Sequence, residues 1–470
     1  MGEQMRSTPG PRVRSTLAAL GALVLGLTTA GPAGAATGAP AVPTDLYSGN
    51  RACAADPAAA TWLNARSGVS LMGIPSHPDT AELRYLGEEF EYWPVADPAR
   101  TTTLVSGTVP NGREGSVVVQ PEALTEGRTY AWRSRTVAGG ESSAWTAPCH
   151  FVVDNTRPAA PPVISSSNYP ADTWSRGGLP VEITLDPAGV DDVAGYQFSW
   201  VGSLPVVGGF LVGERGIPTP IDSYETSTSY LVRAAGPGRP TTVRLLPPHG
   251  SGPMRLTVAS LDRTWTRSAA TSEYSFYVNS TAPQIRQLVA DPQWGETVPF
   301  KITANPDLPP EARVTEYSVE IYDGRGTRKQ TVKPSATGNA IVHLPLNGQL
   351  ITRLSVSSTS ANGWVSNQNQ WTSPVTDTTP TVTSQVYPEN DFGGGVGVTG
   401  TFFLAPKVPG VTSYLCTFDG RPPVTVPAAA DGTARLDWAP EYSDLQGLNV
   451  TPVLADGLQL DSYYYSFWVA

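Results

Sequence analysis

Histidine and cysteine are scarce in this chain, with four of the first and three of the second among 470 residues. Each shortage excludes some chemistry. His77, His150, His249 and His343 lie far apart, and a serine triad needs one of them beside an activated serine. His150 and His343 fall inside alternating strand patterns, while His77 and His249 sit next to prolines. There is no Gly-x-Ser-x-Gly elbow, no His-Glu-x-x-His pair and no Gly-x-x-x-x-Gly-Lys phosphate loop. The run Gly393–Gly397 resembles such a loop only superficially, because it follows Tyr-Pro and precedes a strand pattern, not a helix. No Cys-x-x-Cys or Cys/His spacing suggests zinc. No catalytic residue, metal or cofactor is therefore expected.

Basic charge is short as well. Lys and Arg number 31 against 41 Asp and Glu, a net charge of −10. That balance disfavours nucleic-acid or anionic-membrane partners, which call for a basic patch. Beyond the N-terminus no apolar run approaches the ~18 residues of a membrane span. No amphipathic helix of three turns is evident either.

Turn formers are plentiful, with 46 Gly and 45 Pro. They suit many short strands joined by tight turns. The N-terminus reads as an export signal over residues 1–35. Arg6, Arg12 and Arg14 precede an apolar run from Leu17 to Thr29, and Ala33-Gly34-Ala35 offers small residues for cleavage. An uncleaved anchor is the alternative, although the run is short for a span. Export would permit disulfides. Cys53 and Cys149 lie near the two ends of the first mature segment, and first and last strands are often neighbours in sandwiches. A bridge there would contribute on the order of 4–5 kcal/mol in the chain-entropy model. Two buried thiols are the alternative. Cys416 is expected in a core.

Internal repeats set the domain count. Asp154-Asn-Thr-Arg-Pro158, Asn279-Ser-Thr-Ala-Pro283 and Asp377-Thr-Thr-Pro380 share an Asx, Thr and a closing Pro, the chemistry of a joint. Tyr274-Ser-Phe-Tyr-Val278 matches Tyr465-Ser-Phe-Trp-Val469, with Cys149-His-Phe-Val-Val153 a looser copy. Val193-x-x-Tyr196-x-Phe198 recurs as Val314-x-x-Tyr317-x-Val319 and Val411-x-x-Tyr414-x-Cys416. Tyr169-Pro170 with Gly177-Gly178 recurs as Tyr387-Pro388 with Gly393-Gly394-Gly395. Arg255–Ser260 recurs as Arg353–Ser358, each followed by a tryptophan, Trp265 or Trp364. The expected architecture is all-β: four tandem immunoglobulin-like or fibronectin-III-like sandwiches after the signal peptide, over 36–154, 155–280, 281–377 and 378–470. Residues 204–242 read as an insertion in the second module, either a loose loop or a binding loop.

The first module resembles a fibronectin type III domain. Leu124-Thr-Glu-Gly-Arg-Thr-Tyr130 is similar to that family's tyrosine corner. The resemblance implies that the Tyr130 hydroxyl bonds to backbone upstream. The stretch Tyr130–Pro162 is similar to segments of large secreted actinobacterial proteins, whose tandem modules often precede laminin-G-like domains. No such domain is expected here, because a closing strand reaches Ala470.

Acidic pairs such as Glu88-Glu89-Phe-Glu91 and Asp191-Asp192 could serve a glycosidase, but nothing adjacent in sequence tunes them. Aromatics near turns are more suggestive. Trp174, Trp265, Trp364 and Tyr464 could contact a ligand by stacking on sugar rings, or they could be sandwich packing. The expectation is a secreted, extracellular, non-catalytic binding, adhesion or spacer protein. Its partner would be a polysaccharide, a cell-wall polymer or another extracellular protein. A secreted glycan hydrolase, or an accessory region of a larger secreted assembly, is the alternative.

Overall fold

The computed structural model describes residues 38–207, 211–212, 218–219, 222–348 and 351–470. The expected export segment, 1–35, lies outside them. Among the described residues no helix is long and apolar enough to cross a membrane. With 47% strand against 3% helix the protein is all-β.

Each module stacks two sheets over its own apolar core. In the first, strands Arg51–Ala52, Ala41–Ser48, Val69–Ser76 and Gly115–Val119 form one sheet. The other orders Thr61–Leu63, Cys149–Val153, Thr129–Ala138, Tyr85–Pro94 and Thr102–Val105. The second module pairs a three-stranded sheet (Val163–Ser166, Val181–Asp186, Thr241–Leu245) with a five-stranded one (Trp174–Ser175, Ser272–Val278, Gly252–Leu261, Gly195–Ser199, Leu231–Arg233). The fourth repeats that plan, and the third omits its short edge strand. Strands Leu231–Arg233 and Thr241–Leu245 therefore belong to the sandwich, although 204–242 reads as one insertion in sequence.

Alternation explains the faces. In Val314–Tyr322 the side chains of Tyr317, Val319 and Ile321 are buried, and their neighbours point outward. The repeated tyrosines Tyr196, Tyr317 and Tyr414 are fully buried. Cys416 takes the core slot of Phe198 and Val319, and burial pushes its thiol up to about 12. It is a packing residue rather than a reactive one. Each buried apolar side chain of this size contributes roughly 1.5–3 kcal/mol.

The joints share one device. The last hairpin of modules two, three and four closes with the same turn. Asp262 N–H donates to the Thr266 carbonyl, Ser360 N–H to Trp364, and Leu454 N–H to Leu458. The residue before the end of this turn has positive φ: Trp265 at 67°, Gly363 at 85° and Gly457 at 84°. Trp265 and Trp364 are thus one position out of register, despite following the same strand motif. In module three the turn delivers Trp364 into the second module's core, where it is 1% exposed. Its Nε1–H donates to Thr281 Oγ1 at 3.0 Å. In module four the turn delivers Asp456, which accepts from Arg325 Nε of module three at 2.8 Å.

Candidate functional site: the cleft between the first two modules

At the first joint the same turn leaves a gap. A cleft of about 500 Å³ opens between modules one and two. Module one contributes Arg51, on an edge strand, and Trp62, on the strand beside Cys149–Val153. Module two contributes Asp262, Arg263 and Trp265 from its turn, with Asp222, Tyr224 and Arg233 from the segment after strand Gly195–Ser199.

Three local features build it. First, Asp222 caps the short helix Ser223–Thr226 by accepting from Tyr224 N–H at 3.0 Å, which sets the ring's direction. Second, Gly195 makes room for that ring: a Cβ there would clash with the Tyr224 hydroxyl and ring edge. The matching positions in the repeated strand motif are Glu316 and Ser413. Third, Trp265 occupies the left-handed turn slot that its siblings fill with glycine. A non-glycine residue held there costs on the order of 1–2 kcal/mol.

Aromatic and cationic groups interleave. Trp265 stacks on Tyr224 with centroids 4.3 Å apart. The Arg233 guanidinium lies 4.6 Å from the Tyr224 ring, Arg51 5.8 Å from Trp265, and Arg263 4.4 Å from Trp62. A hydrogen bond from Asn64 Nδ2 to Thr266 Oγ1, 3.1 Å, also ties the two modules.

The charges are unevenly matched. Asp222 is ion-paired with Arg233. Asp262 anchors its own turn, where Oδ1 accepts from Thr264 and Thr266 N–H at 2.7 and 2.8 Å. Its Oδ2, like the Tyr224 hydroxyl, is buried with no partner among the described residues. Burial pushes the Asp262 carboxyl up to about 6 and raises the Tyr224 phenol. The Arg51 guanidinium makes no ion pair with a described residue, and burial lowers its pKa against the opposing field of Asp222.

The other expected contacts lie elsewhere. Trp174 is 58% exposed at a sheet edge, stacked on Tyr277 at 5.2 Å. Tyr464 is exposed on the fourth module, and its hydroxyl donates to Asp419 at 2.9 Å. Trp364 is enclosed at the second joint and offers no face to a ligand, because its turn points into the neighbouring core. Of the four aromatics, Trp265 alone lines the cleft. Cys53 and Cys149 are joined as a disulfide across 96 residues. The Tyr130 hydroxyl accepts from Thr125 N–H at 2.9 Å and donates to the Ala123 carbonyl at 3.4 Å, just beside Leu124. Arg51, Trp62 and Asp262 escape the sequence pattern, while Tyr224 and Arg233 fall within 204–242, the segment offered as a loose or a binding loop. The signal that could have found them is the glycine at 195 together with the inserted segment.

Glu89 and Glu91 face outward and pair with Arg135 and Arg133. Glu88 points inward instead and is fully buried. The three carboxylates thus divide between the two sides of one strand.

No protein-family model matches this chain, and no curated protein does. Several solved structures are similar to parts of this chain. A tetra-tandem repeat from the extending region of a large adhesion protein aligns at 13% identity, over 87% of this chain and 96% of that one, with a TM-score of 0.23. The chicken CNTN1 FN1–FN3 domains align at 10% identity over 72% and 100%, TM-score 0.18. The fibronectin(III)-like modules of Clostridium thermocellum CbhA align at 14% over 40% and 94%, TM-score 0.16. None of these likenesses bears on function or on how the modules are arranged.

Proposed function

We propose that the protein is a secreted, non-catalytic binding and spacer protein that takes a glycan or cell-wall polymer at its first joint. The observation that carries this reading is the cleft itself. Three departures from the repeat converge there: Gly195, the segment bearing Tyr224, and a tryptophan in a glycine slot. Strained backbone kept in one copy of a repeat marks a place where the side chain matters. Clefts between domains, lined by aromatics and a few polar groups, are where small ligands bind. The disulfide suits an oxidising, extracellular setting. The sequence features that support export are the basic and apolar runs before Ala35.

The second and third modules, locked through Trp364, would act as a stiff segment of the spacer. Binding of the purified full chain to a panel of cell-wall and plant polysaccharides tests the proposal. Retention that is lost on mutation of Trp265 supports it; no retention on any polymer counts against it. A compact globule in small-angle scattering would remove the spacer role.

One observation favours a glycan hydrolase as a second reading. Asp262, with its raised pKa, and the ion-paired Asp222 share the cleft. The Asp262 carboxyl, however, is buried under the turn it anchors, and a general acid must reach the bond it protonates. Release of reducing ends from the same polymer panel separates the readings.

A further inference from the structure

We infer that the first-joint cleft selects an acidic sugar, one whose carboxylate pairs with Arg51; this deepens, and rests on, the reading of the cleft as a glycan site. The cleft holds three guanidinium groups, Arg51, Arg233 and Arg263. Its carboxylates do not balance them in place. Asp222 is taken by Arg233. Asp262 is committed to its turn through Oδ1, and its Oδ2 is buried beneath that turn. Arg263 lies on the Trp62 ring. Arg51 is left half-buried beside Trp265 without a carboxylate partner among the described residues. A guanidinium partly removed from water and unpaired is unfavourable, and an incoming carboxylate offsets that cost with a two-pronged hydrogen bond.

The remaining lining decides which anion. Asp222 is only about one-third exposed at its side chain and faces the same space. It would repel a compact multivalent anion such as phosphate and would accept hydrogen bonds from hydroxyl groups. The rings of Trp62 and Trp265 add apolar surface at the walls. A ligand that suits all three needs one carboxylate, several hydroxyls and apolar C–H faces. A uronic-acid residue of a polysaccharide has that combination. A volume of about 500 Å³ admits a short stretch of chain, not a whole helix or strand of protein.

Calorimetric titration of the full chain tests this with uronate oligomers (galacturonate, glucuronate and mannuronate trimers), their methyl esters and neutral hexose trimers. Citrate serves as a carboxylate without a sugar ring. At least one uronate trimer is expected to bind about tenfold or more tightly than its methyl ester, a preference that falls with added salt. Arg51→Gln should abolish the preference, and Arg51→Lys should keep part of it, because the charge stays but the fork is lost. Both variants should fold and unfold close to the wild-type temperature, since Arg51 makes no ion pair within the described fold and gives up only its contact with the Trp265 ring. Equal binding of acid and ester would overturn the selectivity for acid and leave the glycan reading standing. Citrate competing as well as the trimers would reduce the site to a general anion site. No binding by any saccharide would overturn both readings. An unchanged acid preference in Arg51→Gln would overturn the assignment of Arg51.

Discussion

The indole of Trp265 lies on the phenol of Tyr224, with ring centroids 4.3 Å apart and planes 29° from parallel. Neither residue has a counterpart in the sibling modules. Tyr224 arrives on an inserted segment, and Trp265 stands where the same turn carries Gly363 and Gly457. Two unrelated departures from a repeat thus meet in one contact, and the contact forms a wall of the cleft at the first joint.

Trp265→Gly should separate stability from binding. Glycine relieves the left-handed backbone and removes the stack, two effects of opposite sign and each on the order of 1 kcal/mol. The melting temperature of the second module should therefore barely move in calorimetry, while polysaccharide retention falls. Trp265→Ala keeps the strain and loses the stack, so it should be the less stable of the two by about 1 kcal/mol. A collapse of the module in Trp265→Gly would mean that the ring is a structural plug.

Gly195→Ala probes the floor of the cleft. A methyl group there overlaps the Tyr224 hydroxyl, so the ring has to move. The expected loss is about 1–3 kcal/mol for overpacking, together with loss of binding. In a Tyr224→Ala background the same change should cost almost nothing, because the clash is gone. Chemical denaturation of the four proteins closes the cycle. A full cost that persists without Tyr224 would place the constraint in the backbone instead.

Much of the fold was legible because it rests on alternation and repetition. The motif Val-x-x-Tyr-x-apolar located a core strand in three modules. The site was far less legible. Its lining comes from Tyr224, Arg233 and Asp262, distant in the sequence of one sandwich, and from Arg51 and Trp62, which reach them only when a second sandwich docks. Aromatic residues near turns were a poor guide, because Trp364 and Trp265 look alike in sequence and differ by one turn position. That single position sends one ring into a core and leaves the other in a cleft. Glu88 was equally hidden: alternation shows that it points inward, but not what lies opposite.

Trp364→Ala should destabilise a module to which the residue does not belong. The ring is 1% exposed, packs with the second module's core and hydrogen-bonds the joint through Thr281. Truncating a buried tryptophan typically costs about 3–5 kcal/mol. Calorimetry should show the second module's transition shifting down more than that of the third. Small-angle scattering should show a broader distribution of inter-module distances. A loss confined to the third module would mean that the joint is not cooperative.

Glu88→Gln should change how the first module responds to pH. The Glu88 carboxyl lies between the sheets, in space left by Gly73 and Gly115, which face each other in register across two strands. Neither oxygen makes a well-formed hydrogen bond with a described residue, and the nearby Ser134 hydroxyl offsets only part of the cost of burial. Burial pushes its pKa up to about 8 from an ordinary 4.5. The folded state thus holds a proton that the unfolded chain has released between those values. Stability should be highest below about pH 4.5 and should fall as the pH rises toward 8, where the buried group ionises. The span corresponds to a loss on the order of a few kcal/mol. Glutamine keeps the shape and cannot ionise, so the variant should match the wild type near pH 4 and exceed it near pH 8.5. Denaturation midpoints of the first module across that range check the sign. A wild-type midpoint that rises with pH, in step with the variant, would show that Glu88 is ionised and solvated in the fold.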